Sequence, residues 1–172
     1  MITIRAATMS DAADLFDWRN DPQTRAMSRD TGPVAWADHV GWLERTLTIP
    51  DARKLCVLEI DREPAGIARF DYGDEVEFSV TIAPKWRCKG LSLKLLRAAF
   101  TIEPEFVGYV KRENKACQRL IQAAGMLLAE DGDMQRWTYH PTRLGRCIAF
   151  ASPSLRVREF PRPRTPRPPE PR

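Results

Sequence analysis

The stretch from Pro84 to Leu96 reads PKWRCKGLSLKLL and decides the fold of this chain. It follows the alternating run Val76–Ile82 and leads into a leucine-rich run, so the pattern predicts a strand, a tight loop and a helix. The first amide groups of such a helix lack intrahelical acceptors and lie at the positive end of its dipole, a geometry that binds phosphate. Gly90 leaves room for close approach. By itself the stretch is a weak signal, because a basic strand-to-helix turn is more often only a turn, and phosphate binding is the alternative; it matches neither GxxxxGK[ST] nor GxGxxG.

Upstream of this stretch the sequence predicts an antiparallel meander. Three runs have strand character, Lys54–Ile60, Pro64–Tyr72 and Glu75–Ile82, and turn residues separate them. The third run is the clearest, because its apolar residues alternate with Glu77, Ser79 and Thr81.

Strands and helices are also predicted on either side of the meander. Residues 2–7 predict a strand, Ser10 caps a first helix, and residues 34–47 predict a second helix. The apolar stripe of that second helix contains Trp36, Val40, Leu43 and Leu47. The downstream elements are a helix Gly90–Phe100, a strand Phe106–Val110, a helix Asn114–Ala124 ended by Gly125, and the strands Met126–Glu130 and Met134–Tyr139.

Three motifs in this order resemble the GNAT family of N-acetyltransferases. Arg87-x-x-Gly90-x-Ser92 resembles the family signature R/Q-x-x-G-x-G/A, and Glu113-Asn114, with Gly125-Met126 downstream, resembles its E-N segment. Trp18-Arg19-Asn20 resembles the W-R-N of a family subset. The resemblance covers residues 2–140 and implies an α/β fold: a mixed, mostly antiparallel sheet of six to seven strands with about four helices.

The resemblance also implies acetyl-coenzyme A as co-substrate. The main chain around Thr81 and Ile82 is expected to pair with the pantetheine arm, and Asn114 to face the cofactor. Arg87 and Lys89 are expected near the phosphates. The amides expected to hold the pyrophosphate belong to Cys88, Lys89, Gly90, Leu91, Ser92 and Leu93.

Two positions depart from the family pattern. Ser92 replaces the usual Gly or Ala, but it is small and its hydroxyl suits a phosphate oxygen. Ile121 stands where many members have a tyrosine that returns a proton to the thiolate. Another group or water then serves as the acid, or acid catalysis matters little. A non-catalytic acyl-coenzyme A-binding module is the alternative from a different class.

Glu77 is the candidate general base. Acetyl transfer needs a neutral amine, and an alkylamine is protonated at neutral pH, so a group must accept its proton. Glu77 lies on the polar face of the strand before the loop and resembles a glutamate often found there in the family. The other interpretation is that Glu77 only pairs with a cation on a neighbouring strand.

Four residues near the N-terminus are candidate acceptor contacts. Trp18 and Arg19 suit stacking and phosphate pairing, but they also suit a core tryptophan and a helix-closing arginine. Asn20 completes the W-R-N motif, and His39 is either a substrate contact or a buried, hydrogen-bonded histidine. These stretches resemble acetyltransferases of nucleotide-linked amino sugars in pseudaminic acid biosynthesis, and they are also similar to ribosomal-protein alanine acetyltransferases.

The net charge of +4 lies in the C-terminal tail. Residues 153–172 hold six of the 27 basic and two of the 23 acidic residues, so the rest of the chain has 21 of each. The body therefore has no basic patch for electrostatic binding of nucleic acid. The tail also holds seven of the 14 prolines, which predicts an extended, disordered segment.

The remaining composition limits location and partners. No apolar run approaches about 18 residues, and the N-terminus becomes polar too soon for a signal peptide, so we expect a cytoplasmic protein without a membrane partner. Four scattered cysteines and two histidines do not predict a metal site. We expect an acetyltransferase domain over residues 1–140, a connecting segment over 141–152 and the tail over 153–172. The expected partner is a small-molecule amine and not nucleic acid, and a homodimer is left open.

Overall fold

The structure is a computed structural model, and it describes residues 1–140 and the backbone of residues 155–157. The described residues form five α-helices: α1 (Ala12–Asn20), α2 (Pro22–Met27), α3 (Trp36–Thr48), α4 (Ser92–Ala99) and α5 (Lys115–Ala124). The strands are β1 (Ile2–Ala6), β2 (Arg53–Ile60), β3 (Glu63–Tyr72), β4 (Val76–Ile82), β5 (Phe106–Lys111), β6 (Leu127–Glu130), β7 (Met134–Tyr139) and β8 (Leu155–Val157).

All of these strands belong to one sheet with the order β6-β7-β5-β4-β3-β2-β1-β8. Neighbours are antiparallel except for the pairs β4–β5 and β1–β8, which are parallel. The predicted meander is therefore confirmed as β2–β3–β4, and so is the mixed, mostly antiparallel fold class. The connecting segment and the tail lie outside the described residues, except that residues 155–157 add the eighth strand beside β1.

The sheet has a hydrophobic core on each face. On one face α4 and α5 cover a cluster of aromatic rings with centroids 4.7–5.9 Å apart, contributed by Phe70, Phe78, Phe100 and Phe106. On the other face α1 and α3 cover Leu55 and Val57 of β2. Burial of one such side chain contributes about 1.5–3 kcal/mol, so both helical layers are held mainly by apolar contact.

The first helix begins later than the sequence predicts. Instead of a cap at Ser10, Thr8 and Asp11 form a capping box around a 3-10 turn, in which the Thr8 amide donates to Asp11 at 2.8 Å. Asp11 is only 5% exposed, and the guanidinium of Arg5 donates to both of its oxygens. The ion pair with β1 favours Asp11 over Ser10 as the anchor of this turn.

The buried stripe of α3 also differs from the predicted one. His39, Leu43 and Thr46 are its buried residues, whereas Trp36 is 49% exposed and contacts Phe16 edge-on at 5.1 Å. Periodicity gives the correct helix, but the helix is rotated so that Trp36 lies at the margin of the core. No helix of the described chain is long and apolar enough to span a bilayer.

Candidate active site

A slot opens between β4 and β5. β4 pairs with β3 along its whole length, but it pairs with β5 only where Glu77 faces Val107. The two parallel strands continue to Ile82 and Lys111, and they separate after that single pair. The side of β4 after Glu77 therefore has no strand partner in the described chain, and an extended group can add to it as a half-strand.

The loop after β4 ends in an arrangement of amide groups that suits an anion. Cys88 and Gly90 have φ of 57° and 70°, and Leu91 returns to right-handed geometry before α4 begins. Such alternation forms a concave nest of N–H groups. Within the described chain, no hydrogen bond engages the amides from Cys88 to Leu93. A Cβ built on Gly90 meets no atom within 4 Å, so the space above the loop is open.

The side chain of Arg87 is directed into the protein, which differs from the expected place beside the phosphates. Its Nε donates to the Ile82 carbonyl at 3.0 Å, and its terminal nitrogens donate to Asp21, Gln23 and Thr24 at 2.7–3.1 Å. Arg87 therefore fastens the start of α2 to the end of β4. The sequence motif locates the loop correctly but does not show this helix as the partner of Arg87.

Lys89 and Cys88 remain at the surface of the loop. The ammonium of Lys89 lies 5.0 Å from the centroid of the Trp86 ring, and Cys88 is the exposed one of the three described cysteines. The cation adds positive potential to the loop without occupying its amides.

Glu77 is ion-paired where the slot begins. Its oxygens lie 3.1 and 3.3 Å from two nitrogens of Arg29, and 29% of its side chain is exposed. Arg29 comes from the segment between α2 and α3 and also covers the Tyr109 ring at 4.4 Å from the centroid. The pairing cation thus belongs to a loop above the sheet and not to a neighbouring strand, so Glu77 is held and still reachable from solvent.

The register shows which other side chains share the face of Glu77. Arg69 on β3 faces Ser79 on β4, and Tyr109 on β5 faces Arg136 on β7. Because side chains alternate along a strand, these residues form one polar surface beside the slot, which we call the slot face. Sequence reasoning missed Arg69, Tyr109 and Arg136, since the pairing of distant strands assembles this surface. In the sequence, only the alternation of polar and apolar residues in β4 indicates that such a polar face exists.

The W-R-N residues lie on the same side of the sheet as the slot face. Trp18 is 7% exposed and packs in the core under α1 and α3, as the core interpretation expects. Arg19 donates to the Asp30 carbonyl at 3.1 Å, and the Asn20 side chain exchanges two hydrogen bonds with the main chain of Val34 at 2.8 and 3.0 Å. Arg19 and Asn20 therefore hold the loop that carries Arg29, although one terminal nitrogen of Arg19 makes no hydrogen bond to a described residue.

His39 occupies a buried place. It is 4% exposed, and its Nε2 lies 3.0 Å from the Ala12 carbonyl. Burial lowers the pKa of His39 and outweighs the opposite effect of that hydrogen bond. Burial therefore favours the neutral imidazole, which joins α3 to α1 and agrees with the structural interpretation of this residue.

The family positions on α5 have structural partners. Asn114 caps the helix by accepting from the Cys117 amide at 3.1 Å, and Gly125 ends it with φ of 104°, as predicted. Ile121 is 3% exposed in the core. Of the three tyrosines, Tyr72 is bound to Glu103 and the Tyr139 ring packs on Phe106, whereas Tyr109 lies on the slot face and is the remaining candidate for the acid. The described residues contain no group of three or more potential metal ligands.

Comparison with known proteins identifies the family. The acetyltransferase (GNAT) domain matches residues 1–127. This chain therefore belongs to the GNAT acetyltransferase family, and the predicted enzyme class, an N-acetyltransferase, is confirmed. No curated protein matches the sequence significantly.

Solved structures show the same fold at low sequence identity. Aminoglycoside acetyltransferase AAC(6')-Ib with coenzyme A and kanamycin has a TM-score of 0.72 at 17% identity, over 86% of this chain and 99% of its own. Spermidine N-acetyltransferase from Vibrio cholerae with coenzyme A and spermine has a TM-score of 0.69 at 18% identity, over 80% of this chain and 94% of its own. The yncA protein from Salmonella typhimurium with acetyl-coenzyme A has a TM-score of 0.65 at 22% identity, over 81% of this chain and 94% of its own. All three were solved with the co-substrate expected here or with its product.

Proposed function

We propose that this chain moves an acetyl group from acetyl-coenzyme A to the primary amine of a small molecule. The observation that carries the proposal is the set of unengaged amides from Cys88 to Leu93 at the start of α4. They offer a diphosphate several N–H donors and the positive end of a helix dipole. Gly90 keeps the approach to them clear.

The slot suits the rest of the co-substrate. An extended pantetheine arm leading away from the loop would pair with the unpartnered side of β4 at Thr81 and Ile82. It would run toward Glu77, where the pairing of β4 with β5 closes the slot. The thioester then lies beside the candidate base.

The reaction follows from this placement. The nitrogen of a neutral amine attacks the thioester carbonyl, the new C–N bond forms, and the C–S bond breaks with loss of coenzyme A as a thiolate. A free N–H of β4 can stabilise the negative charge that develops on the carbonyl oxygen. The thiolate takes a proton from Tyr109 or from water, because Ile121 supplies no acid, and it is a tolerable leaving group because a thiol is far more acidic than an alcohol.

Glu77 accepts the proton of the amine, directly or through one water molecule. Its ion pair with Arg29 is about half exposed on the arginine side, so an incoming ammonium can replace the guanidinium. That exchange frees Arg29 toward solvent as the acceptor binds. On the sequence resemblance we propose a nucleotide-linked amino sugar as the first acceptor to test.

Calorimetry of acetyl-coenzyme A with the Gly90→Asp variant tests the loop. Gly90 has a positive φ and open space above it, so a carboxylate placed there strains the loop and repels phosphate. We expect Kd to rise about tenfold or more, since hydrogen bonds to charged groups are among the strong ones. Gly73→Asp is the matched control, because an added Cβ there meets only one atom at 3.8 Å. An unchanged Kd for Gly90→Asp would contradict the proposal.

A further inference from the structure

We infer that Arg69 binds an anionic group of the acceptor, so that the acceptor is an amine that also carries a phosphate or a carboxylate. The inference rests on the proposed function, because it concerns the acceptor side of the same slot. It distinguishes this chain from the aminoglycoside and spermidine acetyltransferases of the same fold, which were solved with the polyamines kanamycin and spermine.

Arg69 lies in the right place for such a contact. It is the cross-strand neighbour of Ser79, and Ser79 is the first residue after Glu77 on the same face of β4. The slot opens immediately after Glu77. An acceptor whose amine reaches Glu77 therefore extends over Ser79 toward the Arg69 side chain.

The Arg69 guanidinium has hydrogen-bonding capacity to spare. Its Nε lies 2.8 Å from an oxygen of Asp71, but the N–H is not directed at that oxygen and the buried nitrogen has no hydrogen bond. No hydrogen bond from Arg69 to another described residue is present, and 35% of the side chain is exposed. Asp71 is meanwhile shared with Arg53. Because the Nε is buried, an incoming phosphate or carboxylate would bind the two terminal nitrogens, which the planar guanidinium can present for bidentate contact.

The charge balance of the slot face points the same way. Each carboxylate on or beside it already has an arginine partner: Asp71 has Arg53 and Arg69, Glu75 has Arg136, and Glu77 has Arg29. Glu130, the cross-strand neighbour of Arg136, also lies 3.9 Å from it, so four arginines face four carboxylates. Among these carboxylates a polycation finds only Glu77 to pair with after Arg29 leaves, whereas an anion meets local positive charge at Arg69, because Arg53 and Arg69 share the single carboxylate Asp71.

Matched acceptor pairs test the inference with the full-length protein. The pairs are glucosamine 6-phosphate with glucosamine, and alanine with alaninamide; spermidine represents polycations. We expect the anionic member of at least one pair to have a kcat/KM about tenfold to a hundredfold higher. Arg69→Gln should remove that advantage. The kcat/KM of the neutral member and the KM for acetyl-coenzyme A should stay nearly unchanged. Arg69→Lys should show a preference for the anionic acceptor between those of the unmodified protein and Arg69→Gln, because lysine keeps the positive charge but cannot make two parallel hydrogen bonds.

Two controls separate the ways in which this can fail. Arg45→Gln, an exposed change on α3, should behave like the unmodified protein, and thermal melting should show that the Arg69 variants are folded. Equal or better turnover of spermidine, or a preference that survives in Arg69→Gln, would overturn the inference and leave the proposed function standing. A protein that binds no acetyl-coenzyme A in calorimetry would overturn the proposed function, and the inference with it.

Discussion

At the scale of single residues, the site depends on one carboxylate that already has a partner. Glu77 holds Arg29 in two contacts and is 29% exposed. A carboxylate in a partly open ion pair can exchange one cation for another at little cost, because exposed pairs contribute only about 0–1 kcal/mol. The ammonium of the acceptor can therefore compete with Arg29 before it gives up its proton.

Replacing Glu77 with Gln tests this role. The amide keeps the shape but accepts no proton, so we expect kcat/KM for the acceptor to fall about 100-fold or more, in the range of general-base catalysis. The Kd for acetyl-coenzyme A should stay unchanged. The measurement is a pH–rate profile, in which the variant loses the dependence on a basic group. Glu44→Gln, exposed on α3, is the control; a Glu77→Gln profile identical to that of the unmodified protein would remove Glu77 from the mechanism.

At the scale of elements, the cofactor loop and α2 are joined through a single side chain. Arg87 bonds the end of β4 and three residues in the first turn of α2 or its cap. The segment after α2 carries Arg29, which contacts Glu77. The position of Arg29 over the slot thus depends on Arg87, although Arg87 itself lies in the loop on the cofactor side.

Arg87→Lys separates a positioning role from phosphate binding. Lysine can reach one of these acceptors but not all of them, so α2 should loosen and the KM for the acceptor should rise about tenfold. The Kd for acetyl-coenzyme A should change less than about threefold, because the amides of the loop remain. Asp21→Asn should reproduce the same pattern, since Asp21 both caps α2 and binds Arg87. The opposite pattern, weak coenzyme binding with a normal acceptor KM, would place Arg87 on the phosphates.

At the scale of the whole molecule, the sequence predicts the elements better than the surface they form. Periodicity locates the meander and the strand–loop–helix junction, because each depends on neighbours in the chain. The Gly125 stop is likewise local and is confirmed, whereas Asn114, predicted as the first residue of the helix, is its cap. The slot face is different, since the Arg69–Ser79 and Tyr109–Arg136 pairs exist only once the register is fixed.

Residues that serve the fold can also look like site residues in the sequence. Trp18, Asn20 and His39 have side chains that suit a substrate, but the structure uses them to pack α1, to hold the α2–α3 segment and to join α3 to α1. Their chemistry is the same in either role, so only burial and hydrogen-bond partners distinguish the two. Arg87 is the converse case, because the motif gives its place in the chain and not the direction of its side chain.

The stability of the molecule should depend on pH through His39. Burial places the folded-state pKa of His39 below its ordinary value of 6.5. The unfolded chain therefore binds more protons, and the stabilisation is complete above pH 6.5 and is lost as the pH falls toward the folded-state pKa. The expected slope is at most about 1.4 kcal/mol per pH unit in that window, measured by urea unfolding between pH 7.5 and 5.

His39→Gln isolates this contribution. Its side-chain amide can still donate to the Ala12 carbonyl but does not titrate, so the slope assigned to His39 should disappear. His140→Gln is the control, since the His140 side chain is 32% exposed and pairs with Glu105 among the described residues. If His39→Gln keeps the full slope, another group is responsible.

The exposed thiol of Cys88 gives the nest a built-in reporter. Cys56 is buried and Cys117 is half-buried, so an uncharged alkylating reagent should label Cys88 first among the described cysteines. The label would be attached to the residue that opens the anion nest, and a bound diphosphate would shield it. Loop occupancy can then be followed as protection from labelling, and candidate coenzymes can be ranked before any acceptor is known.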